Sequence, residues 1–141
     1  MAAFALTTLA MAATMSGTYK VGTAEVSPNY TSLSAAVADI NTNGVGGDIV
    51  LEITSDITEA ANIGLAVNTN GFGITIRPDA DVDRTITFTK TTDNTAASGH
   101  FVIGQKNLTV SWSNPATDDN TISTSKVTID GYAVGGTTRR L

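Results

Sequence analysis

The chain has no cysteine among its 141 residues and only one histidine. These absences exclude disulfide scaffolds, thiol nucleophiles and the cysteine clusters that hold zinc or iron–sulfur centres. Charged residues are also scarce, at 15%, and 13 acidic side chains against 8 basic ones give a net charge of -5. No stretch contains more than two adjacent basic residues, so the composition argues against nucleic-acid binding.

The sequence also lacks a hydrophobic run long enough to cross a bilayer. Residues 1–16 are Ala-rich and uncharged, but they fall short of the ~20 residues of a transmembrane helix. Three interpretations are open for this segment: an arm that takes part in assembly, the remnant of a secretory leader, or the first element of the core. We separate residues 1–16, as an N-terminal arm, from one domain at 17–141. The apolar side chains of the arm are Phe4, Leu6, Leu9, Met11 and Met15.

One helix is predicted with both of its ends. Residues 31–43 carry apolar side chains at the i, i+3, i+4, i+7 spacing of a single helical face. Thr31 or Ser32 can cap the N-terminus, and Gly44 can supply the left-handed residue that ends the helix. The predicted apolar face consists of Leu33, Ala36, Val37 and Ile40.

Elsewhere the sequence predicts short strands separated by turns rich in Asn, Asp, Gly and Pro. Such a pattern is compatible with a sandwich, a barrel or a solenoid. The predicted strands are shorter than the five or six residues usual in sandwiches. Those beginning at Ile49, Ile74, Phe101 and Val127 are about 25 residues apart, the spacing of a repeated supersecondary unit. Both observations favour the solenoid.

Several segments resemble the N-terminal part of large bacterial surface proteins whose right-handed parallel β-helix is similar to that of pectate lyases. Residues 17–22 resemble the entry strand of that family and residues 30–37 its capping helix. Residues 44–53 resemble the glycine-rich turn and first rung, and 127–131 with 137–141 resemble a later rung.

This resemblance implies a mostly all-β fold, a right-handed parallel β-helix solenoid with one N-terminal capping α-helix. In the family the helix plugs the mouth of the solenoid and protects the strand edges of the first rung. The family would continue with another strand after Leu141, so we expect a β-helix that is open at its C-terminal end. The resemblance also implies a secreted or cell-surface protein.

A calcium loop is the one metal site that the sequence suggests. Asp79, Asp81 and Asp83 form the D-x-D-x-D opening of such a loop. Arg84 and Lys90 stand where the loop requires glycine and glutamate. We therefore predict a solvated acidic turn, with structural calcium as the weaker alternative, and no other cofactor.

No catalytic set can be assigned. His100 is the only histidine, and no carboxylate or nucleophile lies beside it in the sequence. The leading hypothesis is a non-enzymatic structural or adhesive extracellular module that assembles into a homo-oligomer, filament or surface layer through its arm and open end. The alternative is a carbohydrate-binding or polysaccharide-active β-helix with an extracellular polysaccharide as partner. That alternative requires convergence of acidic side chains among Asp79, Asp81, Asp118 and Asp119.

Overall fold

The computed structural model describes residues 13–60, 63–89, 100–104, 124–133, 135–139 and 141. These residues form eight strands and one helix. In chain order the elements are β1 (Met15–Val21), α1 (Leu33–Asn43), β2 (Val45–Ile53), β3 (Ile57–Glu59), β4 (Ile63–Leu65), β5 (Ile74–Pro78), β6 (Ile86–Phe88), β7 (Phe101–Ile103) and β8 (Val127–Ile129).

The strands pair into three sheets, and every pair is parallel. The first sheet has the order β1-β2-β5-β8, the second contains β3 and β6, and the third contains β4 and β7. The chain passes through the first, second and third sheets with β2, β3 and β4, and repeats this order with β5, β6 and β7. It then returns to the first sheet with β8. The predicted mostly-β class with a single helix agrees with this arrangement.

The core lies on one face of the first sheet. Ile49 pairs with Ile74, and Leu51 pairs with Ile76. All four side chains are buried, whereas the residues between them along β2 and β5 are only half-buried. Because side chains alternate across a strand, the parallel register stacks apolar side chains inward and places polar ones outward. The outward residues Glu52 and Arg77 form an ion pair of 2.9 Å.

Two carboxylates add polar contacts between successive passes of the chain. Asp48 accepts a hydrogen bond of 2.7 Å from the Gly73 backbone N–H. Asp56 accepts one of 2.8 Å from the Thr85 backbone N–H. Each bond lies beside a strand pair, β2–β5 or β3–β6, and helps to fix its register.

The helix agrees with the sequence prediction. It begins at Leu33, with Ser32 as N-cap, and ends before Gly44, whose φ of 78° is in the left-handed region that favours glycine. The Ser32 hydroxyl accepts from the Ala35 backbone N–H at 3.2 Å. The four residues of the predicted apolar face are all buried: Leu33, Ala36, Val37 and Ile40.

The predicted repeat is wrong at one strand. Ile49, Ile74 and Val127 do stack in the first sheet, but Phe101 pairs with Ile63 in the third sheet. The reason is that Ile74 and Val127 are separated by about twice the 25 residues that separate Ile49 from Ile74. The longer second pass places Phe101 at its third strand rather than at a new first strand.

Candidate functional site

Each sheet has one edge strand beside α1 and another edge strand on its opposite side. The helix packs against β1, β3 and β4, each of which begins its sheet. The opposite edge strands are β8, β6 and β7. We call α1 with the edges of β1, β3 and β4 the helix end, and the edges of β6, β7 and β8 the far end. Edge strands carry unpaired backbone groups, so their surroundings decide whether another chain can bind.

At the helix end, the Glu59 side chain links β3 to the start of α1 through hydrogen bonds. Its side chain is 2% exposed. One carboxylate oxygen accepts from the Leu33 backbone N–H at 2.6 Å, and both oxygens lie 3.4 Å from the Ser34 backbone nitrogen. Backbone N–H groups in the first turn have no partner within the helix, and they favour a negative charge. Glu59 therefore fixes the helix against the second sheet.

Asn41 satisfies the edge of the third sheet. Its side-chain amide donates to the Gly64 carbonyl at 2.7 Å and accepts from the Ala66 backbone N–H at 2.9 Å. These are the two kinds of bond that a neighbouring strand would supply to β4. A side chain on α1 thus takes the place of a strand at this edge.

Replacing Asn41 with Ala should lower the free energy of unfolding by about 1 kcal/mol, because two hydrogen bonds of an edge strand are lost. Amide exchange at Ala66 should accelerate more than exchange in β2. Thr42→Ala is the matched control, since its hydroxyl only bonds back to Ala38 within the same helix. Equal exchange rates at Ala66 in the two variants would contradict the edge role of Asn41.

The edge of β1 is covered by the segment that precedes the helix. The Lys20 backbone N–H donates to the Asn29 side chain at 2.8 Å. The Tyr30 backbone N–H donates to the Lys20 carbonyl, and Gly22 donates to the Tyr30 carbonyl, both at 2.9 Å. Residues Asn29 and Tyr30 thereby occupy the outer side of β1 around Lys20, so a further strand cannot pair at that position.

The Tyr30 phenol anchors this segment to the helix. Its hydroxyl donates to the Asp39 carboxylate at 2.9 Å. Burial, together with this hydrogen bond and the charge of Asp39, raises the pKa of Tyr30 above its usual value of 10.0. The unfolded chain would therefore lose this proton at a lower pH than the folded chain.

Stability should consequently fall as the pH rises above about 10, since the unfolded state then binds fewer protons than the folded state. Tyr30→Phe removes the ionisable group and should give a shallower alkaline decline. Urea unfolding at pH 7 to 11 measures both curves. Identical alkaline slopes in the two proteins would contradict the assignment.

The far end exposes apolar side chains, whereas polar side chains bind the backbone at the helix end. Ile129 is 58% exposed and Ile103 is 42% exposed. Their strand neighbours at the same level, Ile76 and Leu65, are buried. Ile129 and Ile103 thus occupy the positions that are buried on the neighbouring strands, but they lie on edge strands and are exposed. Within the described residues, no strand pairs with the outer side of β6, β7 or β8.

A cavity of about 430 Å³ lies inside this end. Its walls come from the helix and from strands of all three sheets, and Arg84 and Thr85 are its polar lining residues. Ile129 is exposed, and the aromatic walls are only half-buried, so the cavity reaches the surface at the far end. The apolar lining consists of Leu33, Ile76, Ile86, Phe88, Phe101, Ile129 and Leu141.

Among the described residues, the acidic candidates form no group that could hold a metal ion. The Asp79 carboxylate is held by Arg84, with nitrogen-to-oxygen distances of 2.9 and 2.7 Å. Asp81 and Asp83 follow in the same turn, and no group of three His, Asp or Glu side chains suited to a metal occurs among the described residues. Asp118 and Asp119 lie outside those residues. The calcium site and the carbohydrate-related alternative both stay predictions.

The His100 ring stacks on the Phe88 ring, with ring centroids 5.5 Å apart.

The predicted arm is described only at its last residues. Met15 lies in β1, is 5% exposed and packs into the core of its own chain. The strand therefore starts before the predicted boundary between residues 16 and 17. Phe4, Leu6, Leu9 and Met11 lie outside the described residues, so their role in assembly stays a prediction. No helix in the described part of the chain is long and apolar enough to cross a membrane.

Comparisons with protein-family models, with curated proteins and with solved structures found no match to this chain. The two ends described above are thus the basis for a functional proposal. Sequence reasoning overlooked Glu59 and Asn41, because each acts on a backbone segment that is distant in the sequence. The one local signal was an acidic residue at the inward-facing position of Ile57-Thr58-Glu59.

Proposed function

We propose that this protein is a structural module of the cell exterior, built as a right-handed parallel β-helix that self-associates through its far end. The repeated passage of the chain through three parallel sheets supports the β-helix, with β2-β3-β4 and β5-β6-β7 as successive coils. The resemblance to bacterial surface proteins supports the right-handed form and the extracellular location. A structural or adhesive role follows from these two proposals together.

The contrast between the two ends is the observation that carries the proposal. Glu59, Asn41 and Tyr30 satisfy the backbone at the helix end. At the far end, Ile103 and Ile129 are exposed beside an apolar cavity. Fully burying one such side chain is worth about 1.5–3 kcal/mol, and pairing an edge strand adds backbone hydrogen bonds. A second copy of the chain can supply both.

The N-terminal arm offers a second contact in this proposal. Phe4, Leu6, Leu9 and Met11 are apolar, and no charged residue occurs before Lys20. One contact through the far end gives a pair of subunits. A second contact through the arm would extend such pairs into a filament or surface layer if its rotation does not close.

Sedimentation of the full chain over a wide concentration range tests the proposal. The wild type should associate, and Ile129→Asp should weaken its association at least ten-fold, because a charge at that site must be desolvated in the interface. Val26→Asp is the matched control: Val26 is 75% exposed but lies in the loop after β1, and this variant should associate like the wild type. Thermal unfolding confirms that both variants fold.

A wild-type chain that stays monomeric at every concentration contradicts the proposed function. So does an equal effect of the two substitutions, because association would then not depend on the far end.

A further inference from the structure

Strand β8, together with the residue on each side of it, has a sequence pattern that is complementary to itself. Residues 126–130 read Lys-Val-Thr-Ile-Asp, with a cation and an anion at equal distances from the central Thr128. Within β8, Thr128 lies on the opposite face from Val127 and Ile129. Lys126 and Asp130 flank the strand on either side. When this segment is turned by 180° and laid beside itself, each charge meets the opposite charge.

The backbone of β8 has N–H and C=O groups on its outer side that are available for pairing. On its inner side, the Ile74 backbone N–H donates to the Lys126 carbonyl, and the Asp130 backbone N–H donates to the Ile76 carbonyl. In a parallel pair the N–H and C=O of one residue point to the same side, and successive residues alternate. The groups of Lys126, Thr128 and Asp130 therefore face β5, while those of Val127 and Ile129 face outward. Within the described residues, no strand pairs with that outer side.

We propose that two copies of the chain meet at their far ends through antiparallel pairing of β8 with β8, about a two-fold axis at Thr128. This inference rests on the proposed function and names its partner and geometry. Val127 and Ile129 each exchange two backbone hydrogen bonds with Ile129 and Val127 of the second copy. Thr128 faces Thr128 across a non-hydrogen-bonded pair, in which side chains are closest.

Charge and burial both fit this register. Lys126 of each copy lies at the position opposite Asp130 of the other, which brings opposite charges together at both ends of the paired strands. Val127 and Ile129 meet across the axis on the face opposite Thr128, where Ile129 is now 58% exposed. The Lys126 ammonium donates to the Gly71 carbonyl, and its three donors allow it to reach a carboxylate as well.

A head-to-tail arrangement fits less well. The strand that would continue the first sheet from β8 is β1 of the next copy, and opposite charges would then require Lys20 to lie beside Asp130. Asn29 and Tyr30 already occupy the outer side of β1 at Lys20. The far end therefore matches another far end better than it matches a helix end.

A single introduced cysteine tests the axis, because the chain has none of its own. In the proposed pair the two Thr128 Cα atoms are about 4.5 Å apart, within disulfide range. Thr128→Cys should form a disulfide-linked dimer under mild oxidation. Thr75→Cys is the matched control, since Thr75 lies beside Thr128 on β5. Its two copies would be roughly 14 Å apart and should not cross-link.

Charge reversal tests the register independently. Lys126→Asp and Asp130→Lys should each weaken the dimer roughly ten-fold, because two opposite-charge pairs become like-charge pairs. The double variant exchanges the charges and should restore the wild-type affinity. Aspartate tolerates the left-handed conformation of Lys126, whose φ is 56°. Thermal unfolding of each variant separates loss of fold from loss of association.

The possible outcomes separate the two proposals. A Thr128 disulfide with rescue by the double variant supports the two-fold pairing. Association that depends on Ile129, without that disulfide and without rescue, overturns the pairing and leaves the proposed function standing. No association of the wild type overturns both.

Discussion

Replacing Glu59 with Ala should lower the free energy of unfolding by about 3 kcal/mol. The substitution removes a buried carboxylate and leaves the Leu33 and Ser34 backbone N–H groups without an acceptor at the start of α1. It also leaves space between β3 and the helix, where Glu59 is 2% exposed. Urea unfolding at neutral pH measures the loss.

Two variants control for the change in charge and size. Glu59→Gln keeps an oxygen that can accept from Leu33, so it should cost about half as much as Glu59→Ala. Glu52→Ala removes the same side chain from a partly exposed ion pair with Arg77 and should cost about 1 kcal/mol or less. Equal losses for Glu59→Ala and Glu52→Ala would show that Glu59 does not hold the helix in place.

Leu51→Ala should cost about 3 kcal/mol, within the range for removing a buried leucine side chain. Leu51 is 0% exposed and lies between Tyr19 on β1 and Ile76 on β5. Because strands on both sides hold these neighbours in place, they cannot easily move into the space that the missing leucine side chain leaves. Denaturant unfolding, with the slope compared with wild type, measures the change.

Val50→Ala is the matched control for Leu51→Ala. Val50 is the preceding residue of the same strand, and it faces the outer side, where it is half-buried. It should cost about 1 kcal/mol or less. Similar costs at the two positions would contradict the assignment of inner and outer faces in the first sheet.

The parts of the fold that local patterns encode were predictable. The helix at Leu33–Asn43 follows from a period of 3.6 residues and from caps at Ser32 and Gly44. Strands β2 and β5 follow from β-branched residues between turn signals. In these segments the residues that determine the structure are neighbours in the sequence, so no tertiary information is needed.

The pairing of strands was less predictable, because it depends on loop lengths between distant segments. Phe101 begins a strand as expected, but its partner is Ile63, and no local feature distinguishes that register from pairing with Ile74. Strand β3 was missed, since Ile57–Glu59 ends in an acidic residue. Its burial depends on the distant helix N-terminus.

The same limit applies to the candidate site. The sequence predicted a start protected by a helix, which is a general property of the proposed architecture. It did not reveal that Asn41 would replace a strand or that Asn29 would accept from Lys20. The symmetry of residues 126–130 is visible in the sequence, but it has meaning only once β8 is known to be an edge strand.

Hydrogen exchange of the full chain in dilute and concentrated solution tests self-association at the far end most directly. We predict that concentration slows exchange at the outward N–H groups of Val127 and Ile129 and in β7, and leaves α1 and Ala66 unchanged. Protection gained at α1 and β1 instead, or no change at any concentration, would contradict assembly through the far end.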